Sequence, residues 1–182
     1  MTIHKFIISG FGGQGVMSMG MMLAYAGMME GKEVTWMPAY GPEMRGGTAN
    51  CSVIISDKPI SSPVVTKATA VVVMNLPSLT KFEGSLIENG TLFINTSLVN
   101  KNTSRNNIEV CEIPANDLAI ELQNDKTSNM IMLGAIVEKT KAVKMDTLHK
   151  VLSKMFLGSK AKFIPANICA LETGKNEILK NL

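Results

Sequence analysis

The chain has 182 residues, enough for one domain with a full core between a sheet and two helix layers. A net charge of +3 and 18% charged residues leave no block of Lys and Arg of the kind that tracks a phosphate backbone, which argues against a nucleic-acid partner. No apolar run reaches the roughly 20 residues of a membrane span and no basic-then-apolar leader opens the chain, so a cytoplasmic protein without a membrane partner is expected.

In chain order, Lys5 to Ser9 reads as a first strand, followed by a glycine-rich turn, and Gln14 to Glu30 reads as a Met-, Leu- and Ala-rich helix stopped by Gly31-Lys32. Glu33 to Met37 is a second strand, and Ala49 to Ser56 a β-branched third, closed by Asp57-Lys58-Pro59. Ala70 to Met74 is a continuous Val-rich run of the kind buried on both faces of a parallel sheet. Pro77 to Phe82 suits a short helix with proline in its first turn, and Asn89-Gly90 turns the chain into a strand over Thr91 to Asn95. Ile108 to Ile113 is the last clear strand. After Pro114, helices are expected near Ala115 to Gln123, Asn129 to Thr140, Asp146 to Met155 and Ile168 to Lys180. The polar segment Asn100 to Asn107 is the best candidate for a mobile loop. The expected fold class is α/β: a single domain over residues 1–182, with a mainly parallel sheet, helices on both faces, a Rossmann-like start and a helical C-terminal part.

Hydrophobic residues make up 46% of the chain but aromatics only 5%, so the 14 methionines supply much of the apolar volume. They can fill the core, or line a surface that packs on another subunit. Cys51, Cys111 and Cys169 never form C-x-x-C, which argues against an iron–sulfur or zinc site and suits a reducing compartment. His4 and His149 lie too far apart in sequence to suggest a local metal or acid–base group.

Gly10-Phe11-Gly12-Gly13-Gln14-Gly15 carries glycines at the first, third and sixth positions of G-x-G-x-x-G, directly after the strand. Such a turn brings backbone N–H groups and a helix N-terminus up to a phosphate or carboxylate. A dinucleotide site also needs an Asp or Glu near the end of the second strand to hold the ribose hydroxyls. Here Glu33 stands at the start of that strand and Trp36-Met37-Pro38 occupies its end. A conventional nicotinamide or flavin site therefore lacks its partner.

The stretch Pro38 to Thr48 holds two prolines and three glycines, which predict an irregular loop leaving the carboxyl end of strand two. Ligands of open parallel sheets bind at that edge. Tyr40, Gly41, Glu43, Arg45, Gly46 and Gly47 are the candidates here. Arg45 offers a forked donor to carboxylate or phosphate, and Gly46-Gly47 permit close backbone approach. Pairing of Arg45 with Glu43, with the glycines merely turning the chain, is the structural alternative.

The two motifs G-F-G-G-Q-G-V (Gly10 to Val16) and A-Y-G-P-E-M-R-G-G (Ala39 to Gly47), in this order and spacing, resemble the gamma subunit of the 2-oxoacid:ferredoxin (acceptor) oxidoreductases. The resemblance covers about the first 100 residues well and the remainder by length and pattern. It implies a subunit of an enzyme that oxidatively decarboxylates a 2-oxoacid such as pyruvate, 2-oxoglutarate or 2-oxoisovalerate, reduces ferredoxin or a similar acceptor, and delivers the acyl group to coenzyme A. Thiamine diphosphate, magnesium and iron–sulfur clusters are expected on partner chains, the alpha and beta, or alpha, beta and delta, subunits. This chain alone would be inactive, with no catalytic or metal-binding residue of its own. Gly10, Gly12, Gly13, Gln14 and Gly15, facing Tyr40, Gly41, Glu43, Arg45, Gly46 and Gly47, are the residues expected to meet a ligand or a partner subunit. The alternative is a stand-alone Rossmann-like nucleotide- or coenzyme A-binding module.

Overall fold

Phe6, Ile7 and Ile8 are apolar on both sides of the pleat, and their strand lies in the interior of the sheet, where each is at most 4% exposed. The computed structural model describes residues 2–40 and 48–180, with Tyr40 described by its backbone. Its strands are β1 (Ile3–Phe11), β2 (Glu33–Tyr40), β3 (Thr48–Ser56), β4 (Ala68–Val73), β5 (Leu86–Asn95) and β6 (Glu109–Ile113). Its helices are α1 (Val16–Met29), α2 (Leu76–Phe82), α3 (Ala115–Glu121), α4 (Ser128–Thr140), α5 (Met145–Met155) and α6 (Ile164–Lys180).

Among the described residues the strands form a six-stranded sheet in the order β2-β3-β1-β4-β5-β6. The pairings β1 with β4, β4 with β5 and β5 with β6 are parallel, as the Val-rich runs predict. β3 is the exception. It lies antiparallel between β1 and β2, so that Gly10 and Tyr40 both flank Ala49. The strand next to β1 is thus not β2, and the neighbouring position where a dinucleotide fold presents its ribose partner is taken by β3.

Pro38, Ala39 and Tyr40, expected to open an irregular loop, instead continue β2, and the rest of that loop up to residue 47 lies outside the described residues. β2 is an edge strand, where a residue without an N–H need not break the ladder. The Asn89-Gly90 turn is likewise a bulge inside β5: Asn89 takes φ 57 and the pairing slips between Ala68 and Ala70. The segment expected to be mobile is tethered, with Arg105 Nη1 donating to the carbonyls of Glu83 and Leu86 at 2.9 and 2.7 Å.

Helices cover both faces unequally. The larger core joins one sheet face to α1, α3, α4, α5 and α6, and the smaller places α2 and the segment around Val99 on the other. Met130 through Val137 are buried without a break, so α4 is apolar all round and sits centrally. It crosses α6 at two glycines: a Cβ on Gly134 would overlap the Leu171 carbonyl, and one on Gly174 the Ile131 carbonyl. Met19, Met22, Met74, Met130 and Met132 are buried in the core, while Met28 is 61% exposed. The core-filling role foreseen for methionine is thus present.

Candidate functional site

β1 delivers the chain to the carboxyl edge of the sheet, between β3 on one side and β4 on the other. Where connections leave in opposite directions from neighbouring parallel strands, here β1 and β4, a crevice opens at that edge. The glycine turn occupies it. Gly13 has φ 96 and Gly15 φ 74, left-handed conformations that cost a side-chain-bearing residue about 1–2 kcal/mol. Gln14 N–H closes the turn on the Phe11 carbonyl at 3.2 Å. Gly10 is buried because a Cβ there would come within 2.7 Å of Gln14 Oε1 and 2.9 Å of both Met74 Cβ and Val16 Cγ2. Gly12 and Gly13 are exposed, Gln14 and Gly15 half-buried.

Gly15 is the N-cap of α1 and supplies no side chain, so the first N–H groups of the helix keep no side-chain acceptor. Across the cleft stands the start of α4. Its Asn129 rests directly on Gly15, and Asn129 Oδ1 accepts from the Met130 N–H at 3.0 Å. Gly13, Gln14, Gly15, Asn116, Asp125, Lys126, Ser128 and Asn129 line a cavity of about 400 Å³. Among the described residues, two helix N-termini and one lysine therefore face a common space, with Asp125 as its single carboxylate. Helix N-termini favour an anion through unsatisfied N–H groups and the helix dipole.

Lys126 and Asn129 also belong to a second cavity of about 460 Å³, whose apolar wall includes Met22, Met130, Met155, Phe156 and Phe163, with Lys160 beside it. The cleft at the glycine turn and the apolar pocket thus adjoin, with Lys126 and Asn129 lining both. Asn95, fully buried at the end of β5, holds the far wall: its Oδ1 accepts from the Ala115 N–H at 3.2 Å and its Nδ2 donates to Asn116 Oδ1 at 2.8 Å.

Of the residues singled out from sequence, the structure gathers Gly10, Gly12, Gly13, Gln14 and Gly15 in one turn. Tyr40 ends β2 at the same edge of the sheet, its backbone paired to Ala49 as Gly10 is. Gly41, Glu43, Arg45, Gly46 and Gly47 lie outside the described residues. Asn116, Lys126 and Asn129 were not foreseen. The available signal was the polar run Gln123 to Asn129 just before an apolar helix, where Ser and Asn suit a helix start.

No group of three or more His, Cys, Asp or Glu side chains that could hold a metal ion occurs among the described residues. Burial pushes the Cys51 thiol up to about 12 and the Cys111 thiol up to about 11, so neither is a ready nucleophile. No described helix is long and apolar enough to cross a membrane.

Fold and site together define an α/β domain with a glycine turn at the sheet's carboxyl edge, leading into the N-terminus of α1. Residues 5–177 match the family model described as pyruvate ferredoxin/flavodoxin oxidoreductase, and the chain belongs to that family. It is 37% identical over 176 residues to ketoisovalerate oxidoreductase subunit VorA of Methanothermobacter marburgensis, covering 96% of this chain but 36% of VorA. It is 31% identical over 179 residues to 2-oxoglutarate synthase subunit KorC of Methanocaldococcus jannaschii, covering 96% of this chain and 93% of KorC. The same domain is thus about a third of one relative and nearly the whole of another. Among solved structures, the gamma subunit of a keto/oxoacid ferredoxin oxidoreductase from Geobacter sulfurreducens superposes with a TM-score of 0.87 at 26% identity, covering 99% of this chain and 98% of that one. A 2-oxoglutarate:ferredoxin oxidoreductase from Magnetococcus marinus, solved with 2-oxoglutarate, coenzyme A and succinyl-CoA bound, shares the fold at a TM-score of 0.90 and 22% identity, over 100% of this chain and 32% of that one. The architecture of this chain is that of the family's gamma subunit.

Proposed function

We propose that this chain works as the gamma subunit of a multi-subunit 2-oxoacid:ferredoxin oxidoreductase, and that its glycine turn receives the anionic portion of coenzyme A. The observation that carries this reading is the convergence of the α1 and α4 N-termini and Lys126 on one cleft, beside an apolar Met- and Phe-lined pocket that shares Lys126 and Asn129 with it. Coenzyme A is a polyanion with an apolar base, and both halves of that chemistry find a surface here.

Holding a substrate without reacting with it is the contribution such a site makes. Backbone N–H groups and Lys126 orient the phosphates, and the rigid turn restricts where the thiol end can travel. Thiamine diphosphate, magnesium and iron–sulfur clusters would be supplied by alpha and beta, or alpha, beta and delta, chains. The described residues offer no ligand set for a metal or cluster. Thiamine supplies the carbanion chemistry and the clusters the electron path when those chains are present.

A stand-alone nucleotide-binding module is the second reading. β3 occupies the place beside β1 where a ribose partner would be presented, which counts against nicotinamide or flavin.

The test is to co-express the chain with the alpha- and beta-type chains of its own organism under anaerobic conditions. Reduction of a low-potential acceptor that depends on both a 2-oxoacid and coenzyme A is the expected result. Lys126→Ala should raise the KM for coenzyme A about ten- to a hundredfold, the value of one charge-assisted contact. A chain that forms no complex and binds NAD by itself would overturn the reading.

A further inference from the structure

Gln14 stands inside the glycine turn, where contact with a ligand would be its obvious use, yet its polar atoms are committed elsewhere. The Phe11 N–H donates to Gln14 Oε1 at 2.6 Å, Asn75 Nδ2 donates to the same oxygen at 3.3 Å, and Gln14 Nε2 donates to the Met74 carbonyl at 3.3 Å. The amide can sit only one way round, because a backbone N–H only donates and a carbonyl only accepts. Asn75 is fixed by the same logic. Its Oδ1 caps α2 by accepting from the Ser78 N–H at 2.9 Å, so Nδ2 is the atom that meets Gln14. Asn75 is 2% exposed, and the fully buried Ser78 hydroxyl lies 2.9 Å from that of Ser9. One chain of hydrogen bonds therefore runs from the turn through the end of β4 and the cap of α2 back to β1.

This network leaves Gln14 a single Nε2 hydrogen to offer outward, with Oε1 shared between two protein donors. It also ties the turn to residues some 60 positions away at its most adjustable point, between the two left-handed glycines. We propose that Gln14 is the positioning residue of the glycine turn, and that Asn75, which does not line the cleft, is its anchor. Together they hold the backbone N–H groups in the shape that accepts an anion. The functional part of this inference rests on the reading that the turn receives coenzyme A.

Asn75→Ser separates the two bonds of the anchor. Serine keeps an oxygen for the Ser78 N–H, brings no charge, and is too short to reach Gln14. Gln14→Met removes the same link from the other end at similar size. Both variants are assembled with their partner chains, and amide exchange at Phe11 is measured alongside turnover with coenzyme A as the varied substrate. In both, Phe11 exchange should accelerate and the KM for coenzyme A rise, each about five- to tenfold, while kcat stays within about twofold, as the loss of one buried hydrogen bond predicts. Unchanged Phe11 exchange overturns the lock. Faster exchange with an unchanged KM overturns its role in shaping the ligand site, and KM, kcat and melting temperature collapsing together reduce the pair to a folding role. If wild-type turnover is indifferent to coenzyme A, the coenzyme A reading falls alone, and Phe11 exchange still decides whether the lock exists.

Discussion

The side chain of Asn129 fills the space that a Cβ at Gly15 would require. This contact joins the start of α4 to the start of α1, and it makes Gly15 obligatory twice over, through its φ of 74 and through the lack of room. Gly15→Ala should cost about 1–2 kcal/mol from backbone strain alone, and more once Asn129 is displaced. The cleft should open at the same time. A lower melting temperature with a raised KM for coenzyme A is the expected pair of results, and a variant matching wild type in both would refute the geometry.

The α4–α6 crossing depends on Gly134 and Gly174, each lying against a backbone carbonyl of the other helix. Backbone cannot rotate aside as a side chain can. Gly174→Ala should therefore destabilise the fold by about 1–3 kcal/mol or more, read as an earlier urea midpoint. Gly31→Ala, which meets no atom within 4 Å, serves as the control for φ strain without overlap. Its φ of 73 should cost about 1–2 kcal/mol, a backbone strain that Gly174 does not carry, so the two variants separate strain from overlap.

His4 predicts a pH dependence whose sign can be stated. Burial, and next the positive charge of Lys32, lower its pKa below 6.5, with Asp57 opposing. The folded chain thus prefers neutral imidazole, whereas the unfolded chain protonates near 6.5. Below that pH the unfolded state binds more protons, so the His4 contribution is fully present above it and is lost as pH falls towards the lower folded value. Urea midpoints should drop between pH 7.5 and pH 5.5, and His4→Gln should show a smaller drop. Equal slopes for the two proteins would show that His4 carries none of it.

Thiol chemistry should single out one cysteine. Cys51 is buried and Cys111 half-buried, both with pKa values raised chiefly by burial, while Cys169 is exposed on α6. In the isolated native chain a disulfide reagent at pH 8 should titrate one thiol quickly and the other two slowly. Cys169→Ser should remove the fast phase. Three equally fast thiols would contradict the packing of Trp36 and Gly20 around Cys51.

Much of the fold was legible because its signals are local. The Val-rich β4, the proline-led α2 and the helix from residue 128 follow from apolar period and capping residues, and observed boundaries lie within a few residues of those expected. The misses concern relations between distant segments. Nothing in Thr48–Ser56 announces that it would enter between β1 and β2, since a β-branched strand can pair either way. Pro38 read as a loop residue because its tolerance in β2 depends on that strand being an edge, which strand order decides. Arg105 read as part of a loose polar run, although the carbonyls that hold it belong to residues 83 and 86.

The candidate site divides along the same line. Glycine spacing after an apolar strand was enough to locate the turn, because left-handed φ and close approach are demands on single residues. Gln14 was expected to serve a ligand, and its commitment to Phe11, Met74 and Asn75 became visible only in three dimensions. By itself, the amino-acid sequence determined the elements, the apolar core and the position of the glycine turn, all consequences of short-range sterics and hydrogen bonding. Tertiary structure alone decided which strand lies beside β1, which amide braces the turn and which helix faces it, because those contacts join residues far apart in sequence whose meeting depends on how the whole core packs.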